Sequence, residues 1–132
     1  MSIVAQAEVK PQATRQDDLQ WQPLCQVRDL VEDSGVVAWW QDAQVALFYL
    51  PAGPNRSEAQ LFAVDNHDPF ANANVIGRGI VGDKGGEAMV ASPLYRQHFR
   101  LSDGVCLEDE SVRLRTWAVR IEGGQVLIGT SR

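Results

Sequence analysis

The segment WAVRIEGGQVLI, residues 117–128, indicates most plainly how this chain folds. Apolar and polar residues alternate on both sides of Gly123-Gly124, and two glycines can form the two-residue turn of a β-hairpin because glycine adopts positive φ at little cost. The register of that turn places five apolar residues on one face: Trp117, Val119, Ile121, Val126 and Ile128. The segment therefore predicts an antiparallel hairpin with one buried and one exposed face.

A second hairpin is predicted upstream, from Val36–Gln41 and Gln44–Leu50, with its turn near Asp42-Ala43. Both of its faces carry apolar side chains, among them Trp40 and Phe48. A strand that is apolar on both faces needs a layer of structure on each side. We therefore expect this hairpin to lie deep between two layers.

Short apolar runs, separated by Gly, Asp, Asn and Pro, predict further strands. These lie at Leu24–Val27, Ala59–Val64 and Glu87–Ala91, with weaker ones near Phe99 and at Val112–Leu114. Only Asp29–Ser34 could form a helical turn, which Gly35 would end. The pattern predicts one all-β domain over residues 19–132, an antiparallel sandwich or small barrel. Residues 1–18 are polar and aperiodic, and we expect them to form a flexible N-terminal arm.

The composition is that of one small acidic domain. The chain has 132 residues, of which 45% are hydrophobic, and a formal net charge of −5. Nucleic acids and anionic membranes attract basic surfaces, so neither is an expected partner. No run approaches the ~20 apolar residues that span a bilayer, and the start of the chain lacks the pattern of a signal peptide. We therefore expect a cytoplasmic protein.

Two segments differ from simple hairpin turns: residues 64–77 and residues 91–104. Each follows a predicted strand and places a proline among polar and aromatic residues, which is typical of loops that carry function. A purely structural interpretation also accounts for them, because prolines fix turns and Asp65 and Ser92 can bond their own backbone. An acid–base site built from Asp65, His67 and Asp68 is conceivable, but solvated turn residues are the favoured interpretation.

The chain contains two cysteines and two histidines, which is the ligand set of a Rieske cluster and of many zinc sites. Their spacing argues against such a site, because Cys25 and Cys106 lack the short separation from His67 or His98 that metal-binding motifs show. We interpret both cysteines as small, partly buried apolar residues. The glycine-rich residues 77–79 and 82–86 lack the strand-to-helix context that binds phosphate, and they are predicted to be turns.

The two irregular segments resemble the cluster-binding boxes of the Rieske family, Cys-x-His and Cys-Pro-x-His-Gly. The sequence DNH at residues 65–67 stands in place of the first box, and SPLYR at residues 92–96 in place of the second. The resemblance implies a Rieske-like fold. It also makes four residues the former ligand positions: Asp65, His67, Ser92 and Tyr95. Since only the histidine keeps its ligand type, and Asp and Ser offer hard oxygens instead of thiolates, we expect no metal or cluster in this chain.

Longer runs resemble a narrower family, the small subunit of assimilatory NAD(P)H-dependent nitrite reductase. They are LFAVDNHDPF (61–70), NVIGRGIVGD (74–83), VASPLYRQHFRL (90–101) and GVCLEDE (104–110). This resemblance implies an accessory subunit for nitrate assimilation, cluster-free and not catalytic on its own. It also implies a large catalytic partner subunit that carries FAD, sirohaem and a [4Fe–4S] cluster and reduces nitrite to ammonia.

The two former ligand loops are then expected to form a docking or structural surface. Aromatic and arginine side chains dominate interface energetics, so five residues are the candidate contacts: Phe70, Arg78, Tyr95, Arg96 and His98. Two other functions stay open from the residues alone, a Rieske-type [2Fe–2S] electron-transfer protein and a stand-alone metal-binding module.

Overall fold

The computed structural model describes residues 19–54 and 56–131, so the predicted arm at residues 1–18 lies outside the described residues. The described chain forms β1 (Leu19–Gln26), β2 (Ser34–Trp40), β3 (Ala43–Leu50), β4 (Gln60–Asp65), β5 (His67–Asp68), β6 (Ala73–Asn74), β7 (Ile80–Lys84), β8 (Glu87–Ala91), β9 (His98–Arg100), β10 (Thr116–Glu122) and β11 (Gln125–Ser131). Two 3₁₀ turns, Val27–Asp29 and Ile76–Arg78, complete the regular structure of this part of the chain. None of the described residues belongs to a helix long and apolar enough to cross a membrane.

The strands form a curled half-barrel backed by a smaller sheet. The larger sheet has six strands in the order β1-β11-β10-β4-β3-β2, and its two edge strands approach each other. The smaller sheet has three strands in the order β7-β8-β9, and β5 pairs with β6 as a short ribbon. All of these strand pairs are antiparallel, which confirms the predicted all-β class.

Strands β3 and β4 separate two hydrophobic cores because alternate side chains point to opposite faces. The core inside the half-barrel contains Val27, Val45, Leu47, Tyr49, Leu61, Ala63, Trp117, Val119, Ile121, Val126 and Ile128. The core between the half-barrel and the small sheet contains Ala46, Phe48, Leu50, Phe62, Val64, Ile76, Val90, Phe99, Leu101, Cys106 and Leu114. The prediction of a strand buried on both faces is therefore confirmed for β3.

The two predicted hairpins differ in how closely the structure matches them. The C-terminal hairpin has the predicted register, with Ile121 opposite Val126 and positive φ at Gly123-Gly124. In the other hairpin Trp40 pairs with Ala43, so the turn is Gln41-Asp42, one residue earlier than predicted.

The prediction that this second hairpin lies wholly between two layers was wrong for β2. This strand is at the edge of the six-stranded sheet, and its outward side chains Val37 and Trp39 are 47% and 68% exposed. Apolar composition on both faces therefore did not distinguish a central strand from an edge strand.

Two other local predictions need correction. Val112–Leu114 forms no strand: Arg113 makes an isolated bridge to Val105, and Val112 and Leu114 form backbone hydrogen bonds with Cys106 and Gly104. The predicted helical turn at Asp29–Ser34 lies earlier, at Val27–Asp29, and Gly35 belongs to β2.

The glycine-rich residues 82–86 are only partly a turn. Gly82, Asp83 and Lys84 extend β7, which pairs with β8, and Gly85-Gly86 alone makes the turn with positive φ. Residues 77–78 belong to the second 3₁₀ turn, in agreement with the predicted turn. Pairing with β8 decided the conformation of residues 82–84, because the glycine content by itself favoured a turn.

Substitution of Gly104 tests the packing beneath the second loop. Gly104 has φ +77°, and an added Cβ would overlap the carbonyl group of Leu114. We expect Gly104→Ala to lower the free energy of unfolding by roughly 3 kcal/mol, from left-handed backbone strain plus steric overlap. Gly85→Ala is the matched control, since Gly85 has φ +64° but no neighbour within 4 Å of the new Cβ; it should cost about 1 kcal/mol. Urea unfolding measures both, and equal losses would contradict the role of the overlap.

Candidate functional site

The two former ligand loops are joined by a buried hydrogen bond between Ser92 and Asp68. The Ser92 hydroxyl donates to the Asp68 carboxylate, and both residues are buried. The same carboxylate accepts the backbone N–H groups of Phe70 at 2.8 Å and Ala71 at 3.2 Å. A buried carboxylate is costly unless it is hydrogen-bonded, so these three donors hold Asp68 in place and connect the first loop to the second.

Asn66 fixes the first loop from its other side. Its side-chain oxygen accepts the N–H of Gly77 at 2.6 Å, and its side-chain nitrogen donates to Gln44 at 2.9 Å. The backbone carbonyl of Asn66 accepts the N–H of Ile76 at 3.0 Å. Sequence analysis did not single out this buried residue, because its partners lie 11 and 22 positions away and no local pattern marks them.

Asp65 and His67 lie at the mouth of an open groove rather than in the buried link. The Asp65 carboxylate accepts the N–H of His67 at 2.9 Å, as predicted for a residue that bonds its own backbone two positions on. Nδ1 of His67 lies 3.1 Å from the side-chain oxygen of Asn74. The groove has a volume of about 240 Å³, and its walls comprise Trp39, Asp42, Ala43, Gln44, Asp65, His67 and Asn74. Asp68 is not among them, so the conceivable acid–base set of Asp65, His67 and Asp68 is divided between a groove and an interior.

The second loop is a tight turn that exposes Tyr95. The N–H of Ser92 donates to the carbonyl of Gln97 at 2.9 Å, and the N–H of Arg96 donates to the carbonyl of Ser92 at 3.1 Å. Arg96 has φ +61°, a left-handed conformation that favours glycine, and it stands where the Rieske box has its glycine. Tyr95 and Arg96 are both exposed, whereas Ser92 is buried.

The residues at the four former ligand positions do not fit a [2Fe–2S] cluster. Such a cluster takes two thiolates on one iron and two imidazoles on the other. Here the Ser92 hydroxyl is committed to Asp68, Tyr95 offers a phenol, and only His67 retains an imidazole. Within residues 19–54 and 56–131, no three His, Cys, Asp or Glu side chains are grouped so as to hold a metal ion.

Neither cysteine occupies a former ligand position, and burial disfavours the thiolate form of both. Burial raises the pKa of the Cys25 thiol to about 11, and the nearby Asp29 carboxylate adds to the effect. Burial also raises the pKa of the Cys106 thiol, which lies in the core behind the small sheet. Both therefore behave as small apolar side chains, as predicted, since the thiolate is the metal-binding form.

Hydrogen bonds and the ion pairs of Arg100 hold the segment from His98 to Glu108. Glu108 accepts the N–H of His98 at 2.7 Å, and its other oxygen lies 2.7 Å from Nδ1 of the same histidine. Asp103 accepts two bonds from Arg100, at 3.0 and 2.8 Å, and one from the N–H of Val105 at 3.0 Å. The bonds from Arg100 hold the pKa of Asp103 below its ordinary value. Partial burial raises the pKa of Glu108, but the bonds from His98 outweigh it, so the net shift is downward.

Of the five candidate contact residues, three are exposed and two are engaged within the chain. Arg78, Tyr95 and Arg96 are exposed. Phe70 is half-buried, with its ring centroid 6.2 Å from that of Phe99, and His98 is paired with Glu108. The second loop lies at one end of the small sheet, since Ala91 at the end of β8 pairs with His98 at the start of β9, and the Ser92–Asp68 bond joins the first loop to it.

Removal of the hydroxyl group that joins the loops should destabilise the protein. In Ser92→Ala the buried Asp68 carboxylate loses one of its three donors, and we expect a loss of ~1–3 kcal/mol in the free energy of unfolding. Ser111→Ala removes a similar bond to Asp109, at 2.6 Å but exposed, and should change stability by less than about 0.5 kcal/mol. Urea titration of both variants is the measurement. Similar small losses in the two would mean that the buried link is not important for stability.

The carboxylates of Asp103 and Glu108 should make stability depend on acid pH. Their folded pKa values are lowered from ordinary values of 3.8 and 4.5. The stabilisation is therefore present above about pH 4.5 and is lost as the pH falls through the folded pKa values. The variant Asp103→Asn/Glu108→Gln should be less stable than wild type at pH 6 and should lose less stability between pH 6 and pH 3. Urea unfolding at both pH values measures this, and parallel losses in the two proteins would contradict it.

The chain matches known proteins over most of its length. A family model described as the Rieske-like [2Fe-2S] domain matches residues 20–129. The nitrite reductase (NADH) small subunit of Escherichia coli strain K12 is 42% identical over 107 residues, which cover 81% of this chain and 94% of that protein. The solution structure of the nitrite reductase [NAD(P)H] small subunit from Erwinia carotovora has a TM-score of 0.67 and 38% identity, covering 85% of this chain and 82% of that one.

A further relative is a large subunit rather than a small one. A segment of the nitrite reductase [NAD(P)H] large subunit of Klebsiella oxytoca is 38% identical over 112 residues, which cover 85% of this chain and 11% of that protein. Modules of this type therefore occur both as a separate chain and within a longer one. By its domain match and by its identity over nearly the whole length of a small subunit, the chain belongs to the Rieske-like family of nitrite reductase (NADH) small subunits.

Proposed function

We propose that this chain is the accessory small subunit of a cytoplasmic NAD(P)H-dependent nitrite reductase, bound to a large subunit that reduces nitrite to ammonia. The observation that carries the proposal is the 42% identity over 94% of the Escherichia coli small subunit. Identity on this scale covers both former ligand loops together with the strands that hold them, so it reflects the whole domain rather than a short motif.

The Klebsiella oxytoca relative supports a large subunit as the partner. There, a segment similar to this chain is part of the large-subunit polypeptide itself. A domain joined to other domains in one chain acts at high effective concentration on its neighbours. A separate chain of the same family needs a binding surface to reach the same arrangement.

The chemistry of nitrite reduction assigns the redox work to that partner. The conversion of nitrite to ammonia takes six electrons, which amino-acid side chains alone do not supply, so the enzyme needs redox cofactors. The donors at the former ligand positions of this chain do not suit a [2Fe–2S] cluster. We propose that the large subunit carries the FAD, sirohaem and [4Fe–4S] cluster that the family resemblance implies, and that this chain contributes no catalytic residue.

The role left to this chain is a docking or structural one, through the two former ligand loops. The Ser92–Asp68 bond and the Asn66 contacts keep these loops ordered without a metal. A surface that is already ordered binds with a smaller entropic cost. Arg78, Tyr95 and Arg96 are the proposed direct contacts because they are exposed, whereas Phe70 and His98 support the loops from behind.

Co-purification tests this function. The tagged chain is co-expressed with the large nitrite reductase subunit of the same organism, and both should elute as one complex in size-exclusion chromatography. The complex should oxidise NADH or NADPH only when nitrite is present and should produce ammonium, because the large subunit holds the cofactors. An untagged small subunit in parallel controls for binding to the column. Separate elution of the two chains at micromolar concentration would overturn the proposal.

A further inference from the structure

Three exposed apolar residues lie near the end of the small sheet where the second loop begins. Ile80 opens β7 and pairs with Ala91, the last residue of β8, and the loop starts at the next residue. Ile80, Leu94 and Tyr95 are 77%, 52% and 64% exposed. Large apolar side chains scattered singly on a surface need no explanation, but a group of them marks an interaction site.

Two arginines flank these three residues. Arg78 precedes Gly79, whose missing side chain allows the backbone to lie against Val90 and the carbonyl of Ala91. Arg96 lies in the loop itself, whose turn is closed by the bonds between Ser92 and Gln97 and between Arg96 and Ser92. We call the set of Arg78, Ile80, Leu94, Tyr95 and Arg96 the tip patch.

The charge of the tip patch differs from that of the whole chain. The protein has a net charge of −5, whereas the tip patch contains two arginines and no acidic residue. Neither Arg78 nor Arg96 forms a salt bridge with another described residue. Arg100 and Arg120, in contrast, are paired with neighbouring carboxylates. Unpaired arginines around an apolar centre fit a partner surface that is apolar in the middle and acidic at the rim.

The backbone at Arg96 gives a second observation. A non-glycine residue at φ +61° is strained, and glycine would relieve that strain. The guanidinium group of Arg96 makes no hydrogen bond or ion pair with another described residue that would compensate for the strain. Since Asp33, Gln41 and Asn72 also have positive φ, the strain at Arg96 supports a use outside the chain only together with its unpaired guanidinium group.

We propose that the tip patch docks into an apolar recess, rimmed by carboxylates, on the large subunit. Ile80, Leu94 and Tyr95 fill the recess, and the two arginines pair with the rim. This inference rests on the proposed function and makes it specific, since it adds Ile80 and Leu94 to the contact surface and states the chemistry of the partner. The occurrence of a similar domain within a large subunit favours that subunit as the occupant.

The experiment measures the affinity of purified small-subunit variants for the purified large subunit by isothermal titration calorimetry. Tyr95→Ala and Ile80→Ser/Leu94→Ser should each weaken binding by about tenfold or more, which is typical of contacts at the centre of an interface. Arg96→Gly should weaken binding while the melting temperature stays the same or rises, because the strain is relieved. Raising the salt concentration should weaken wild-type binding more than that of Arg78→Glu/Arg96→Gly.

Two control variants lie elsewhere on the surface. Arg28→Glu changes a charge on the exposed 3₁₀ turn after β1, and Val31→Ser changes an exposed apolar residue that follows the same turn. Both should bind within about twofold of wild type, since neither lies on the tip patch. Melting temperatures of all variants establish that each is folded.

The outcomes separate the two proposals. If wild-type protein does not bind the large subunit, the proposed function fails, and the docking inference fails with it. If wild-type protein binds and all tip-patch variants bind equally well, the function stands and the docking inference is overturned. Weakened binding by Val31→Ser with unchanged binding by the tip variants would overturn it as well, and would place the interface near the 3₁₀ turn after β1.

Discussion

The hydrogen bond from the buried hydroxyl of Ser92 to the carboxylate of Asp68 is the contact on which the arrangement of the two loops depends. A carboxylate in the interior needs donors, and three converge on Asp68 from both loops. In a Rieske centre the ligands also come from two loops, and the metal cluster joins them. Here a pair of ordinary polar side chains makes the connection between the two loops.

The two cores determine where that connection is made. Because β3 and β4 are buried on both faces, they carry the half-barrel on one side and the small sheet on the other. The first loop leaves the end of β4 directly, and the second leaves the end of β8, which packs on the same core through Val90. The loops therefore meet at one end of the molecule, and their positions are as rigid as the packing of Phe48, Phe99 and Leu101 beneath them.

The former ligand positions of the second loop differ in their exposure to solvent. Ser92 is turned inward and stabilises the fold, whereas Tyr95 and Arg96, a few residues later, face solvent. Arg96 keeps a backbone conformation that glycine would adopt at lower cost. The loop is thus held from within by one residue and presents others to the outside, a combination that suits the docking role proposed for this chain.

The sequence by itself determined the features that depend on residues close together along the chain, such as hairpins, strand faces and the positions of loops. Alternation and a Gly-Gly turn defined the C-terminal hairpin, the double apolar pattern placed β3 between two layers, and the boxes at residues 65–67 and 92–96 located both loops. Only the tertiary structure decided the contacts between distant residues: Ser92 with Asp68, 24 positions apart, and Asn66 with Gly77, 11 apart. It also decided that β2 is an edge strand and that Gly82 lies in a strand. The reason is physical, since periodicity records which side of a strand is apolar but not which strand, loop or solvent lies against it.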